Sequence, residues 1–194
     1  PMPRRDRISR GLESQTAYHD MRGREIENHV PPRRDADAAT SRTFVFFGPP
    51  ESPLGEGVQA AAAAAGLRMV NVWSDSPWKD GGAALVKAVF ASKPAAILAG
   101  PDPKTVHLAE QIAIKLRLPL IDPASTDLTA NQAGVPWIFS LAIPGVAKDH
   151  RLLGAEAVNL LQDALGRTEG DPSRLRDELA RAFGPNGRIK ELSQ

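Results

Sequence analysis

The sequence predicts an α/β fold, a three-layer doubly wound parallel sheet that follows an extended N-terminal arm, and three observations predict it. From Thr43 onward, short apolar runs alternate with longer stretches whose apolar residues recur at helical spacing. The clearest of the short runs are apolar without interruption, as in strands covered on both faces. Gly and Pro punctuate the ends of these segments, where a chain leaves a strand or a helix.

The first 42 residues stand apart. They carry many Arg, Asp and Glu, few aliphatic side chains and the break Val30-Pro31-Pro32-Arg33-Arg34, and such a segment cannot bury enough surface to fold alone. Residues 1–42 are therefore expected to be an extended or disordered arm, either a solvated tail or a grip on a partner. A short helix around residues 10–18 is compatible with its pattern. The start, Pro1-Met2-Pro3-Arg4-Arg5, is basic but has no apolar stretch after it of the kind a secretory signal needs.

The elements follow in order. Thr43-Phe44-Val45-Phe46-Phe47 reads as the first strand and stops at Gly48. Residues 54–65, rich in Ala, read as a helix that ends at Gly66 and whose small side chains would lie close to the sheet. Residues 67–73 alternate as a second strand. Residues 80–92 form a helix with Leu85, Val86, Val89 and Phe90 on one face. Residues 95–99 make the third strand and residues 104–116 the next helix, with Leu108, Ile112 and Leu116 in line. Residues 118–121 and 137–141 complete the strands. Pro136 and Pro144 flank the last of these and suit an edge. Residues 150–165 form a helix expected to stop at Gly166. A final helix is capped by Asp171, opens on Pro172 and carries Leu175, Leu179, Ala182 and Phe183 on one face until Gly184-Pro185. Strands alternating with helices in this way pair in parallel through right-handed crossovers.

Composition narrows the functions. With 194 residues, 42% hydrophobic and 24% charged, the chain is an ordinary globular protein long enough for one core and an appendage. A net charge of +1 provides no field for nucleic acid or an anionic membrane. Cysteine is absent, which excludes disulfides, thiolate catalysis and cysteine-bound metal clusters. No apolar run reaches the roughly 18 residues needed to span a bilayer. The four histidines are scattered without metal-ligand spacing, so no metal site is expected. Gly55-Glu56-Gly57-Val58-Gln59-Ala60 fits a dinucleotide-binding pattern by accident, since its first glycine lies inside the expected helix and Glu56 would repel a pyrophosphate. There is no G-x-S-x-G elbow and no phosphate-cradling G-x-x-x-x-G-K-[ST], so neither an enzyme nor a cofactor is expected.

In a doubly wound sheet, ligands bind beyond the carboxyl ends of the strands. The loops there are residues 48–53, 100–105 and 122–129. The second offers Asp102, Lys104 and Thr105 at a helix start, which favours an anionic group; the third offers Ser125 and Thr126. These residue types also serve as ordinary caps and turns. Trp73 and Trp78 follow the second strand on the same rim, where they could wall a ligand or meet a protein, although core packing serves Trp73 equally well.

The succession Gly48-Pro49, Ala95-Ala96-Ile97-Leu98-Ala99-Gly100-Pro101, Leu118-Pro119-Leu120-Ile121-Asp122-Pro123-Ala124-Ser125-Thr126 and Pro136-Trp137-Ile138-Phe139 resembles the first lobe of type I periplasmic solute-binding proteins, in the branch that binds leucine, isoleucine and valine. The stretches 154–161 and 173–180 resemble the late helices that in this family pack back on that lobe. The resemblance covers Thr43 to about Phe183 and implies that residues 43–194 form one such lobe. The second lobe, which should fall between Pro144 and His150, is missing. It implies a non-catalytic binding module related to substrate-binding proteins of amino-acid ABC transporters and a periplasmic location, with a cytoplasmic one also open. Where the family uses a Ser-Ser pair for the ligand carboxylate, this chain has Pro103 and Lys104, followed by Thr105. Ser125 and Thr126 match the family's Ala-Thr. The expected ligand-binding residues are thus Asp102, Lys104, Thr105, Ser125, Thr126 and Trp78. The expected partners are a small amino acid or carboxylate, and a protein subunit or homodimer mate that covers the strand-end rim. The competing expectation is an accessory subunit that docks through the rim and the arm.

Overall fold

The computed structural model describes residues 42–125, 131, 134–143, 148–168, 172–183 and 187. The expected arm, apart from Arg42, lies outside them, as do Thr126, Asp171 and Gly184-Pro185.

The strands are β1 (Thr43–Phe47), β2 (Arg68–Val72), β3 (Ala96–Ala99), β4 (Leu120–Asp122) and β5 (Ile138–Ser140). They form a five-stranded sheet in the order β2-β1-β3-β4-β5. Every pairing is parallel. The α/β doubly wound expectation therefore holds, and β5 lies at an edge as its flanking prolines require.

Strand alternation sorts the core into two layers. Phe44 and Phe46 of β1, Leu98 of β3, Ile121 of β4 and Phe139 of β5 point to one face. There they meet α1 (Pro53–Ala65), α4 (His150–Arg167) and α5 (Pro172–Ala182). Val45, Phe47, Ile97, Leu120 and Ile138 point to the other face, against α2 (Gly82–Ser92) and α3 (Pro103–Leu116). Phe44, Phe46 and Phe47 are fully buried. Removing each such side chain from water stabilises the fold by about 1.5–3 kcal/mol, so β1 anchors both layers.

Helix boundaries follow local chemistry. Ser52 caps α1 by accepting the Gly55 amide at 3.0 Å, and its hydroxyl donates to the Pro49 carbonyl at 2.7 Å. Gly66, at φ 62°, closes α1 in the left-handed conformation that glycine adopts without strain. The ends of α2 and α3 use Lys93 (φ 46°) and Arg117 (φ 50°) for the same purpose.

Several expectations are corrected. The small residues of α1 serve α4 more than the sheet. A Cβ on Gly57 would sit 2.1 Å from the Arg151 carbonyl oxygen, and one on Gly154 would sit 2.5 Å from that of Leu54. Gly166 does not end α4, which continues to Arg167. It lacks a positive φ, and the Thr168 hydroxyl closes the last turn by donating to the Leu165 carbonyl at 2.8 Å. The helix expected from residue 80 begins at Gly82, after a π-helical turn at Pro77–Gly81. Its apolar face is split. Leu85 and Val89 are buried, while Val86 and Phe90 are 36% and 61% exposed, because only one stripe of α2 faces the sheet. Trp73 is 38% exposed and does not join the core, since the edge strand β2 ends one residue before it.

Candidate functional site

The strand order reverses between β1 and β3, and this switch point is where a doubly wound sheet opens a crevice at its carboxyl edge. At this point the backbones of two loops meet. Gly48 follows β1 and Gly100 follows β3, so close that a Cβ on Gly48 would lie 2.3 Å from the Gly100 carbonyl oxygen. The Gly100 amide donates to the Phe47 carbonyl at 3.3 Å, and the Gly48 amide to that of Val72 at 3.1 Å. On the β2 side, the Asn71 side-chain amide donates to the carbonyls of Phe46 and Gly48, which ties down the start of the first loop.

Asp122 closes β4 beside this junction. Its carboxylate is fully buried. One oxygen, Oδ1, accepts the amides of Ser125 at 2.9 Å and Ala124 at 3.3 Å. Oδ2 accepts the Ser140 hydroxyl at 3.4 Å across to β5. Burial pushes its pKa up to about 7, against the lowering effect of those donors and with a further upward push from Glu110. At neutral pH this side chain can thus accept a hydrogen bond as carboxylate or donate one as acid.

Glu110 organises the next segment. It lies on the inner stripe of α3 with Val106, Ala109 and Ala113. Its carboxylate accepts the Asn131 amide at 2.8 Å and meets His107 Nδ1 at 3.0 Å. Asn131 in turn accepts the Val135 amide at 2.6 Å and donates to the Ile138 carbonyl at 3.1 Å, which leads the chain into β5.

No protein-family model and no curated protein matches the chain. Among solved structures it is similar to the leucine-binding protein LivK of Thermotoga maritima MSB8, with 21% sequence identity and a TM-score of 0.43. That similarity covers 53% of this chain and 33% of the other, about a third of its length.

The sequence-derived candidates fall in separate places. Asp102 caps α3, where its Oδ2 accepts the amide of Thr105 at 3.0 Å and its hydroxyl at 3.2 Å. Thr105 is fully buried by this arrangement. Lys104 is exposed in the first turn of α3. Ser125 is buried and held by Asp122. Trp78 is 55% exposed on the π-helical turn beyond β2. Asp102 and Thr105 therefore form one unit and Ser125 another, with Lys104 and Trp78 on the surface. Sequence reasoning passed over Asp122 and Glu110 as site residues. A carboxylate ending an apolar strand just before Pro123, and another on an apolar helix stripe, were the available signals. Among the described residues, no three His, Asp or Glu side chains group as a metal site, and no helix is long and apolar enough to cross a membrane.

Proposed function

We propose that this chain is a non-catalytic binding module of solute-binding type, which takes a small amino acid or carboxylate at the strand-end rim. The observation that carries this reading is the close backbone approach of Gly48 and Gly100, the residues that leave β1 and β3 at the reversal of strand order. Lys104 in the first turn of α3 supplies the positive charge for an anionic group. On this reading the described residues supply one lobe, half of a clamp, and a second body, a subunit or a homodimer mate, supplies the opposing wall. Absence of a catalytic motif in the sequence supports binding without chemistry, and the motif resemblance favours a periplasmic location.

Thermal unfolding with a panel of amino acids and small carboxylates tests the reading, because a ligand specific to the folded state raises the midpoint. A rise with one class of compound, reduced by Lys104→Ala, is the expected result. A midpoint unmoved by every compound would remove the receptor role.

The exposure of Trp78 and Trp73 favours a second reading, an accessory subunit that docks through the rim and its N-terminal arm. Native mass measurement of the particle purified from its source separates the two, since a stable complex supports docking and a ligand-responsive monomer or dimer supports reception.

A further inference from the structure

The outer surface of the α2 and α3 layer carries a feature that the strand-end rim does not explain. A shallow groove of about 490 Å³ runs between the two helices, with Gly82, Ala83 and Val86 on one wall and Leu108 and Ile112 on the other. Lys87 and Lys115 stand along it. Exposed Phe90, one turn beyond Val86 on α2, continues that face at 61% exposure.

Charge is the deciding observation. Acids and bases nearly cancel over the whole chain, yet the charged side chains that line the groove are both lysines, Lys87 and Lys115. The one acid on these helices, Glu110, is buried on the inner stripe and bonded to Asn131 and His107. An apolar trough edged by one sign of charge selects an occupant that is apolar along one stripe and acidic beside it. A second copy of this face is disfavoured, because it would set Lys87 and Lys115 against other lysines. A trough between two helices has the width that receives a third helix, whereas a bilayer surface is broad.

We infer that this groove docks an amphipathic helix of a partner protein, one that lays its apolar stripe on Val86, Leu108 and Ile112 and pairs Glu or Asp with Lys87 and Lys115. The surface is separate from the rim and its ligand, so this inference stands or falls without the proposed receptor role.

The test uses the full chain and two fluorescein-labelled synthetic helices with the same Leu stripe, one flanked by Glu and one by Lys. Fluorescence anisotropy should show saturable binding of the Glu helix, weakened by salt, and little binding of the Lys helix. The variants Lys87→Glu/Lys115→Glu and Val86→Asp alter only exposed side chains, and unchanged thermal unfolding would verify their fold. The double charge reversal should lower affinity for the Glu helix roughly tenfold and raise that for the Lys helix. Val86→Asp should weaken both. Equal binding of the two helices, or binding of neither, overturns the inference. So does a concentration-dependent dimer that Val86→Asp abolishes, which would make the occupant a second copy. Tighter binding to phosphatidylglycerol vesicles than to the Glu helix would equally overturn it in favour of a lipid surface.

Discussion

Gly57 of α1 and Gly154 of α4 let their helices approach until each glycine faces the other helix's backbone, with Arg151 and Leu54 supplying the carbonyl oxygens. Beside this seam, exposed Glu56 and Arg151 form an ion pair across the same helices. The contact joins the helix that follows the first strand to one much later in the chain, so it closes one whole layer of the fold.

The seam predicts that two glycines respond in opposite directions. Gly57→Ala should destabilise by about 1–3 kcal/mol or more, because its methyl group meets rigid backbone. Gly166→Ala, in the same layer, meets nothing within 4 Å and sits in helical backbone. It should stabilise by about 0.5–1 kcal/mol. Urea unfolding of both variants checks the contrast; equal effects would deny the close approach.

Asp122 predicts a pH dependence. Its pKa is raised by burial from 3.8 to about 7. Below pH 3.8 it is protonated whether the chain is folded or not, and its effect on stability is neutral. Between about 4 and 7 the unfolded chain ionises it freely while the folded chain resists, so stability falls as pH rises through that window. Asp122→Asn removes this loss. The stability difference between variant and wild type should grow in favour of the variant by up to about 4 kcal/mol from pH 4 to 7, at about 1.4 kcal/mol per pKa unit. A difference that stays flat across that range would mean the carboxylate titrates normally.

Asp102 acts in the structure as a helix cap. Asp102→Ala should cost about 1 kcal/mol with no ligand present, since the Thr105 amide and hydroxyl lose their acceptor. Asp102→Asn, which keeps a side-chain oxygen, should restore most of it. An alanine variant as stable as wild type would show that the cap contributes nothing and leave Asp102 to ligand contact alone.

Phe183 packs on Phe139 with ring centroids 5.1 Å apart and is almost wholly buried. Phe183→Ala should therefore cost about 3–5 kcal/mol. Combining it with Phe139→Ala should cost less than the sum of the two, as for residues in contact. Additive losses in denaturant titrations would place the rings in independent environments.

Much of the fold was legible because strand burial and helix periodicity leave direct traces. Phe44 to Phe47 read as a covered strand since both of its faces are apolar, and Pro136 marked β5 as an edge. Helix ends were harder. Gly66 stops α1 through its φ, but Gly166 has the same identity and an ordinary helical backbone, while Lys93 and Arg117 take the left-handed position with no compositional cue. At the rim, sequence located the loops but not the roles within them. Asp102 and Thr105 could serve as cap or contact, and only their mutual hydrogen bonds show the cap. The central place of Asp122 depends on Ser140, 18 residues away, which no local pattern reveals.

The seam between α1 and α4 also bears on how the protein is made. Glu56 and Arg151 are 95 positions apart, so synthesis delivers α1 long before its mate. A chain still emerging from the ribosome displays the glycine and alanine face of α1 with nothing to cover it, and contacts between such distant segments form slowly. Docking of the late α4 is therefore expected to be a slow step, and chains interrupted before residue 150 should be the ones that chaperones hold.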